Sequence, residues 1–147
     1  MTELSLSLTR IVNARPEKVF DAWLTPAMLK RFMVPCEGGG VPVAESDARV
    51  GGHFKIVMFN GEKNIEHTGT YLEIDPHSRI AFTWQSVFSL DDSTVTLDFR
   101  PSGTDKTELT LTQVKFASES ARDGHLKGWT LIVDQLAAMD EDVLLPG

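Results

Sequence analysis

One long apolar helix constrains the fold of this chain more than any other stretch. Residues 118–140 form the only long segment in which apolar side chains recur at helical spacing. One face carries Leu126, Trp129, Val133 and Leu136, and an overlapping stripe adds His125, Ile132 and Met139. This face is broader than a surface helix usually needs. We therefore expect a large concave partner to cover it, formed by strands earlier in the chain.

The N-terminus and the glycines of this helix add two expectations. Either Ser118 or Ser120 can cap the first turn. Gly124 and Gly128 lie one turn apart, and each costs about 1 kcal/mol relative to alanine inside a helix. Such a cost predicts that another backbone segment or a ligand lies close to the helix at these glycines.

Alternation of apolar and polar residues predicts strands through most of the preceding chain. The first strand spans about residues 4–13, with a change of phase near Ile11, and an edge strand is expected at 41–47. Further strands are predicted at 53–59 and 65–74, and three more surround Phe82, Phe99 and Leu111. The pattern leaves open which face of the strand at 67–71 points inward.

Two short helices are predicted after the first strand, at 16–24 and 26–32, because each segment begins with a proline. The resulting order is a strand, two short helices, about six antiparallel strands in a meander and one long helix. This order predicts an α+β fold in which a single sheet wraps around one helix. The length of 147 residues predicts a single domain spanning 1–147.

Charge and composition narrow the class of partner and the compartment. The net charge of −7 argues against binding to nucleic acid or to an anionic membrane surface. No apolar run reaches the roughly 18–20 residues of a membrane span, and no signal-peptide pattern opens the sequence. The single cysteine, Cys36, cannot form an internal disulfide and favours a reducing compartment. We expect a cytoplasmic protein.

The sequence shows no arrangement that signals a metal, a cofactor or a catalytic group. The four histidines are far apart in sequence, no Cys or carboxylate stands at metal-ligand spacing, and we expect neither a metal nor a cofactor. The glycine-rich loop 34–40 lacks the lysine of a phosphate-binding loop. His125 has two interpretations: a neutral, hydrogen-bonded core histidine, or a polar anchor or proton shuttle facing a ligand.

Five short motifs follow one another along the chain: VFDAW at 19–23, DARVGGHF at 47–54, GTYLEI at 69–74, FTW at 82–84 and HLKGW at 125–129. With these motifs the chain resembles the AHSA family, the homologues of the activator of heat shock protein 90 ATPase, within the START-like superfamily that includes the birch-pollen allergen. The resemblance covers about residues 4–139. It implies a helix-grip fold, in which a curved antiparallel sheet grips the C-terminal helix and encloses a cavity. It implies no particular reaction.

Our first functional hypothesis is that the cavity binds a small hydrophobic or aromatic molecule and that loop 34–40 acts as its lid. The expected ligand-binding residues are apolar or aromatic apart from one histidine: Phe32, Met58, Phe82, Trp84, Phe99, His125, Trp129 and Val133. If the interior is filled, the same side chains form an ordinary core instead.

Two alternatives belong to other classes. An enzyme of the cyclase, dehydratase or hydrolase kind would use His67 or His125 for proton transfer in the same cavity. A co-chaperone-like protein of the stress response would bind a chaperone, as the family resemblance implies. Eukaryotic co-chaperones of the family carry an additional N-terminal domain that this sequence lacks, and we expect this to weigh against the chaperone role. The sequence leaves a homodimer open.

Overall fold

The fold was obtained as a computed structural model, which describes residues 4–87, 89 and 92–139. Within these residues it contains seven strands and three helices, in this order: β1 (Ser5–Val12), α1 (Pro16–Ala22), α2 (Pro26–Phe32), β2 (Gly40–Ser46), β3 (His53–Phe59), β4 (Asn64–Asp75), β5 (Arg79–Thr83), β6 (Thr94–Pro101), β7 (Thr107–Val114) and α3 (Glu119–Ala137). The strands form one antiparallel sheet in the order β1-β7-β6-β5-β4-β3-β2. The predicted α+β helix-grip architecture is confirmed.

Alternate residues of the strands point into the concave side of the sheet, as the period of two requires. In β3 the buried set is Phe54, Ile56 and Met58, and in β6 it is Val95, Leu97 and Phe99. β2 lies at one edge of the sheet, where the sequence places an edge strand. β1, at the other edge, keeps its phase throughout, since Leu6, Leu8 and Val12 are buried while Ile11 is exposed. The expected change of phase near Ile11 is therefore wrong.

The structure determines the inward face of β4. His67, Gly69 and Tyr71 are buried, whereas Leu72 is half exposed. Gly69 has no room for a side chain, because a Cβ at this position would meet the carbonyl oxygen of Thr83 and the ring of Phe54. His67 thus points toward the interior of the molecule.

Both short helices begin at prolines, whose missing N–H is not needed in a first helical turn. Glu17 lies in the first turn of α1, and Lys30 and Arg31 lie in the last turn of α2. Each charge interacts favourably with the helix dipole at that end. α1 ends at Ala22, earlier than the expected Leu24. The two helices cover the core with buried apolar side chains that include Phe20 and Phe32.

α3 begins at Ser118, whose hydroxyl accepts a hydrogen bond from the amide of Ala121 at 3.1 Å. Its second half packs against the sheet through Trp129, Ile132, Val133 and Leu136. Leu126 does not join this buried face. It is 36% exposed, since the first half of α3 borders a cavity and solvent instead of the core.

A chain of buried polar groups connects α3 to the sheet. The indole N–H of Trp129 donates to Oε1 of Gln113 at 2.7 Å, and Nε2 of Gln113 donates to the hydroxyl of Ser93 at 2.8 Å. That hydroxyl donates to the carbonyl of Val114 at 2.8 Å. Because Trp129, Gln113 and Ser93 are all buried, each polar atom needs its partner, and the chain fixes where α3 lies on the sheet.

Candidate functional site

A cavity of about 540 Å³ lies between the first half of α3 and the concave face of strands β3 and β4. This volume falls in the range of small-molecule sites. Fourteen residues line it: Pro35, Met58, Asn60, Ile65, His67, Trp84, Ser118, Ser120, Ala121, Gly124, His125, Gly128, Trp129 and Ile132. The lining is mainly apolar and aromatic, with two imidazoles, two serines and one asparagine as its polar side chains.

Aromatic rings form one wall of this cavity. The ring centroids of Trp84 and Trp129 are 4.8 Å apart, with the planes tilted by 53°. The imidazole of His67 stacks on Trp84 at 4.7 Å, with an angle of 27° between the planes. Aromatic pairs at these distances stabilise one another beyond the area they bury. The wall is therefore held in place before any ligand arrives.

His67 is buried in an unusual way for a polar side chain. Only 9% of it is exposed, and its Nδ1 atom is buried without a hydrogen-bond partner. Burial lowers the pKa of His67 from 6.5 to about 4, and it outweighs hydrogen bonding to the backbone of Ile56, which acts in the opposite direction. At neutral pH His67 is uncharged, and its Nδ1 atom, which is buried from solvent, has no hydrogen-bond partner.

His125 has two hydrogen bonds that fix its tautomer. Nδ1 is 2.8 Å from the carbonyl oxygen of Ala121, which can only accept, so Nδ1 carries the proton of the neutral ring. Nε2 then accepts a hydrogen bond from the hydroxyl of Ser89 at 2.9 Å. The ring of Phe116 lies 5.2 Å away, centroid to centroid. His125 thus lines the cavity in a defined orientation.

The glycines of α3 open the cavity on the helix side. A Cβ added at Gly124 or at Gly128 would meet nothing within 4 Å, and both residues line the cavity. The expected close approach of another backbone segment is therefore not present among the described residues. Each glycine leaves free space where a larger side chain would occupy the cavity.

Loop 34–40 is hydrogen-bonded to both sides of the cavity. Nε2 of Gln135 on α3 donates to the carbonyl of Val34 at 2.9 Å, and Sγ of Cys36 donates to the carbonyl of Asn60 at 3.3 Å. Pro35 is the loop residue that lines the cavity. The loop therefore bridges α3 and the β3–β4 turn at the cavity's rim.

The structure separates the eight expected ligand-binding residues into two groups. Four line the cavity: Met58, Trp84, His125 and Trp129. The other four are buried away from it, in the packed core: Phe32, Phe82, Phe99 and Val133. Phe32 belongs to α2 and Val133 to the second half of α3, and both helices bury these side chains in the core. Phe99 packs against Phe20 of α1, and Phe82 packs against Phe54.

Sequence reasoning missed several lining residues. Ile65, Asn60 and Ser120 carry no pattern that separates them from ordinary strand, turn and helix positions. Ser89, the partner of His125, lies 36 residues from it in sequence and could not be paired with it by spacing. The two glycines of α3 were the sequence feature that could have located the cavity, since they lie on its open side.

The described residues contain no group of three or more His, Cys, Asp or Glu side chains that could hold a metal ion. Within the same residues, no helix is long and apolar enough to cross a membrane.

Comparisons with known proteins extend this picture. A family model described as Activator of Hsp90 ATPase homolog 1-like protein matches residues 13–141. A solved protein from Chromobacterium violaceum is 28% identical, with a TM-score of 0.81 over 97% of this chain and 98% of its own. An HSP90 activator from Plasmodium falciparum is 27% identical, with a TM-score of 0.69 over 86% of this chain and 88% of its own.

An AHSA1-like protein from Aeromonas hydrophila shares the fold at 21% identity, with a TM-score of 0.78 over 91% of this chain and 90% of its own. A search of curated proteins finds no match. The family model spans most of the chain, and it confirms the resemblance inferred from the five motifs. The chain therefore belongs to the AHSA1 family, the Activator of Hsp90 ATPase homolog 1-like proteins.

Proposed function

We propose that this protein binds a small hydrophobic molecule in the cavity between α3 and the sheet. The observation that carries the proposal is the cavity of about 540 Å³, with two indoles on one side and two helix glycines on the other. A core that needed only to be filled would gain from side chains at Gly124 and Gly128, which meet no obstacle. The open space supports a role in binding.

Access to this cavity would be controlled by loop 34–40. Its bonds to Gln135 and Asn60 are two single hydrogen bonds near the surface, each contributing about 1 kcal/mol. Breaking both would free Pro35 from the rim without disturbing the sheet. The loop therefore acts as the lid in this proposal.

A thermal-shift screen of the full chain against hydrophobic metabolites tests the proposal, with tryptophan fluorescence as the second readout. A ligand at about 100 times its Kd stabilises the native state by about 2.7 kcal/mol. We expect a dose-dependent rise in Tm and quenching of indole fluorescence, since Trp84 and Trp129 line the cavity.

A matched pair of variants shows where the ligand binds. Gly128→Leu places a side chain in the cavity and should weaken binding at least tenfold while the protein stays folded. Lys127→Leu introduces a leucine at an exposed position of the same helix and should leave binding unchanged. A flat screen, or equal binding by both variants, would contradict the proposal.

A second candidate is a chaperone contact, favoured by the 27% identity to an HSP90 activator. It needs an exposed surface and not the cavity. Isothermal titration of the chain with an HSP90-type chaperone, followed by ATPase measurements, distinguishes the two candidates. Binding that Gly128→Leu leaves intact would support the contact, and absence of both binding and ATPase stimulation would exclude it.

A further inference from the structure

We propose that the cavity's ligand is a planar aromatic carboxylic acid, whose rings lie against Trp84 and Trp129 and whose carboxylate lies near His67, His125 and the first turn of α3. The inference rests on the proposed function and names the chemical class of the ligand. Four features of the lining lead to it: the distribution of charge, the unpartnered Nδ1 of His67, the first turn of α3 and the aromatic wall.

Among the residues that the structure describes, the lining contains no fully charged side chain. The chain carries 21 acidic residues, yet none of the fourteen lining residues is Asp, Glu, Lys or Arg. A cationic ligand would lose its hydration without meeting a carboxylate, which is strongly unfavourable. An anionic ligand, in contrast, meets two imidazoles and no carboxylate among these residues. The lining therefore tolerates an anion better than a cation.

His67 is the second feature, because it lines the cavity and its Nδ1 atom is buried without a hydrogen-bond partner, although the backbone of Ile56 and Ile65 hydrogen-bonds to the imidazole. Leaving a buried polar atom unpaired costs about 1–3 kcal/mol. Trp84, stacked on the imidazole, offers no hydrogen bond to this atom, and His125 is the charged or titratable group that acts on His67 from α3. A carboxylate in the cavity would stabilise the protonated imidazole and give the ring a partner.

The first turn of α3 adds a third favourable term for an anion. Ser118, Ser120 and Ala121 line the cavity; the amide of Ala121 already donates to the Ser118 hydroxyl, and the other amides of the first helical turn lack carbonyl partners within the helix. These amides and the positive end of the helix dipole favour a negative group. Glu119, also in this turn, is exposed and is not among the lining residues. Its charge therefore stays in water.

The part of the ligand other than its carboxylate is inferred from the aromatic wall, which lies opposite the helix glycines. Trp84 and Trp129 are only 3% and 2% exposed and offer a small part of each ring to the cavity, where an aromatic ring that meets an indole edge-to-face gains about 0.5–1.5 kcal/mol beyond the buried area. Gly124 and Gly128 leave space for such a ring on the helix side. A fused two-ring compound is small enough for a cavity of about 540 Å³.

The test compares 2-naphthoate with its methyl ester, which has the same rings and no charge, by isothermal titration of the full chain at pH 7. We expect the acid to bind at least tenfold more tightly than the ester. Titration in two buffers of different ionisation enthalpy should show proton uptake with the acid and none with the ester, because the carboxylate raises the pKa of the histidines it meets. This readout needs no variant.

A double variant, His67→Gln with His125→Gln, keeps polar side chains that cannot be protonated, and should reduce the acid-to-ester ratio severalfold, with the first turn of α3 retaining the remainder. Equal or tighter binding of the ester by the unaltered chain would overturn the inference while leaving the proposed function standing. Binding of neither compound by the folded chain would also overturn the inference, and the metabolite screen then decides the proposed function separately. Decahydro-2-naphthoate should bind more weakly than 2-naphthoate, and equal affinity would overturn the aromatic part.

Discussion

His67 shows at the scale of one residue how burial changes chemistry. Its imidazole is 9% exposed, stacks on Trp84 and lacks a partner for Nδ1. Burial lowers its pKa from 6.5 to about 4, so the folded protein resists protonation at a site that the unfolded chain protonates readily. A group of this kind makes the stability of the fold depend on pH.

We predict that His67 destabilises the fold in mild acid. Between pH 6.5 and pH 4 the unfolded chain binds the proton that folded His67 does not, so the free energy of unfolding falls as the pH falls through this window. The loss is about 3 kcal/mol at pH 4 and vanishes above pH 6.5. Urea unfolding of His67→Phe, which keeps the stacked ring, should show a flatter pH dependence. The exposed-site variant His53→Gln serves as control, and equal slopes for His67→Phe and the unaltered chain would contradict the prediction.

At the scale of the element, the glycines of α3 and the glycine of β4 have opposite structural roles. Gly124 and Gly128 stand beside empty space, whereas Gly69 is enclosed by the carbonyl of Thr83 and the ring of Phe54. In α3 the missing side chain leaves room for a ligand. In β4 it permits the close packing between β4 and the end of β5 that brings His67 and Trp84 together.

We predict opposite effects of alanine at these positions. Gly128→Ala should raise the free energy of unfolding by about 0.5–1 kcal/mol, since alanine is the better helix former and its Cβ meets nothing. Gly69→Ala should lower it by about 1–3 kcal/mol or more, because the backbone must shift to admit the Cβ. Equilibrium denaturation measures both values, and a stabilised Gly69→Ala would show that this contact is wrongly described.

At the scale of the whole molecule, four polar contacts among the described residues join α3 to the remainder of the fold. The buried one links Trp129 to Gln113, Asp134 pairs with Arg10 on β1 at 2.8 Å, Gln135 binds loop 34–40 and His125 binds Ser89. The side chains of Arg10 and Asp134 are 39% and 51% exposed, so water screens their attraction. The position of the helix, and with it the shape of the cavity, depends mainly on the buried contact.

We predict that Gln113→Leu costs more stability than Arg10→Ala. The first leaves the buried indole N–H of Trp129 without an acceptor and should lower the free energy of unfolding by about 1–3 kcal/mol. The second removes a surface ion pair, expected to contribute about 0.2–1 kcal/mol. Chemical denaturation of both variants checks the order, and a larger loss in Arg10→Ala would reverse the roles assigned to these contacts.

The sequence by itself determined the element order, the edge position of β2, the proline starts of α1 and α2 and the apolar face of the second half of α3. These follow from local rules: side chains alternate along a strand, recur about every 3.6 residues along a helix, and proline fits a first helical turn. Four of the eight expected binding residues line the cavity for the same reason: Met58 and Trp84 point to the concave side of the sheet, and His125 and Trp129 lie on the face of α3 turned toward it.

Only the tertiary structure decided which inward side chains meet open space. Phe82 and Trp84 share a direction in sequence, but Phe82 is enclosed in the core while Trp84 faces the cavity, because α3 presents glycines near one and bulky residues elsewhere. The sequence also left the inward face of β4 undetermined, because His67 is polar and the alternation of apolar residues did not identify it as pointing inward. The pairing of Ser89 with His125 joins residues distant in sequence. Periodicity describes how one element presents its side chains, whereas a cavity depends on what the facing element leaves unfilled.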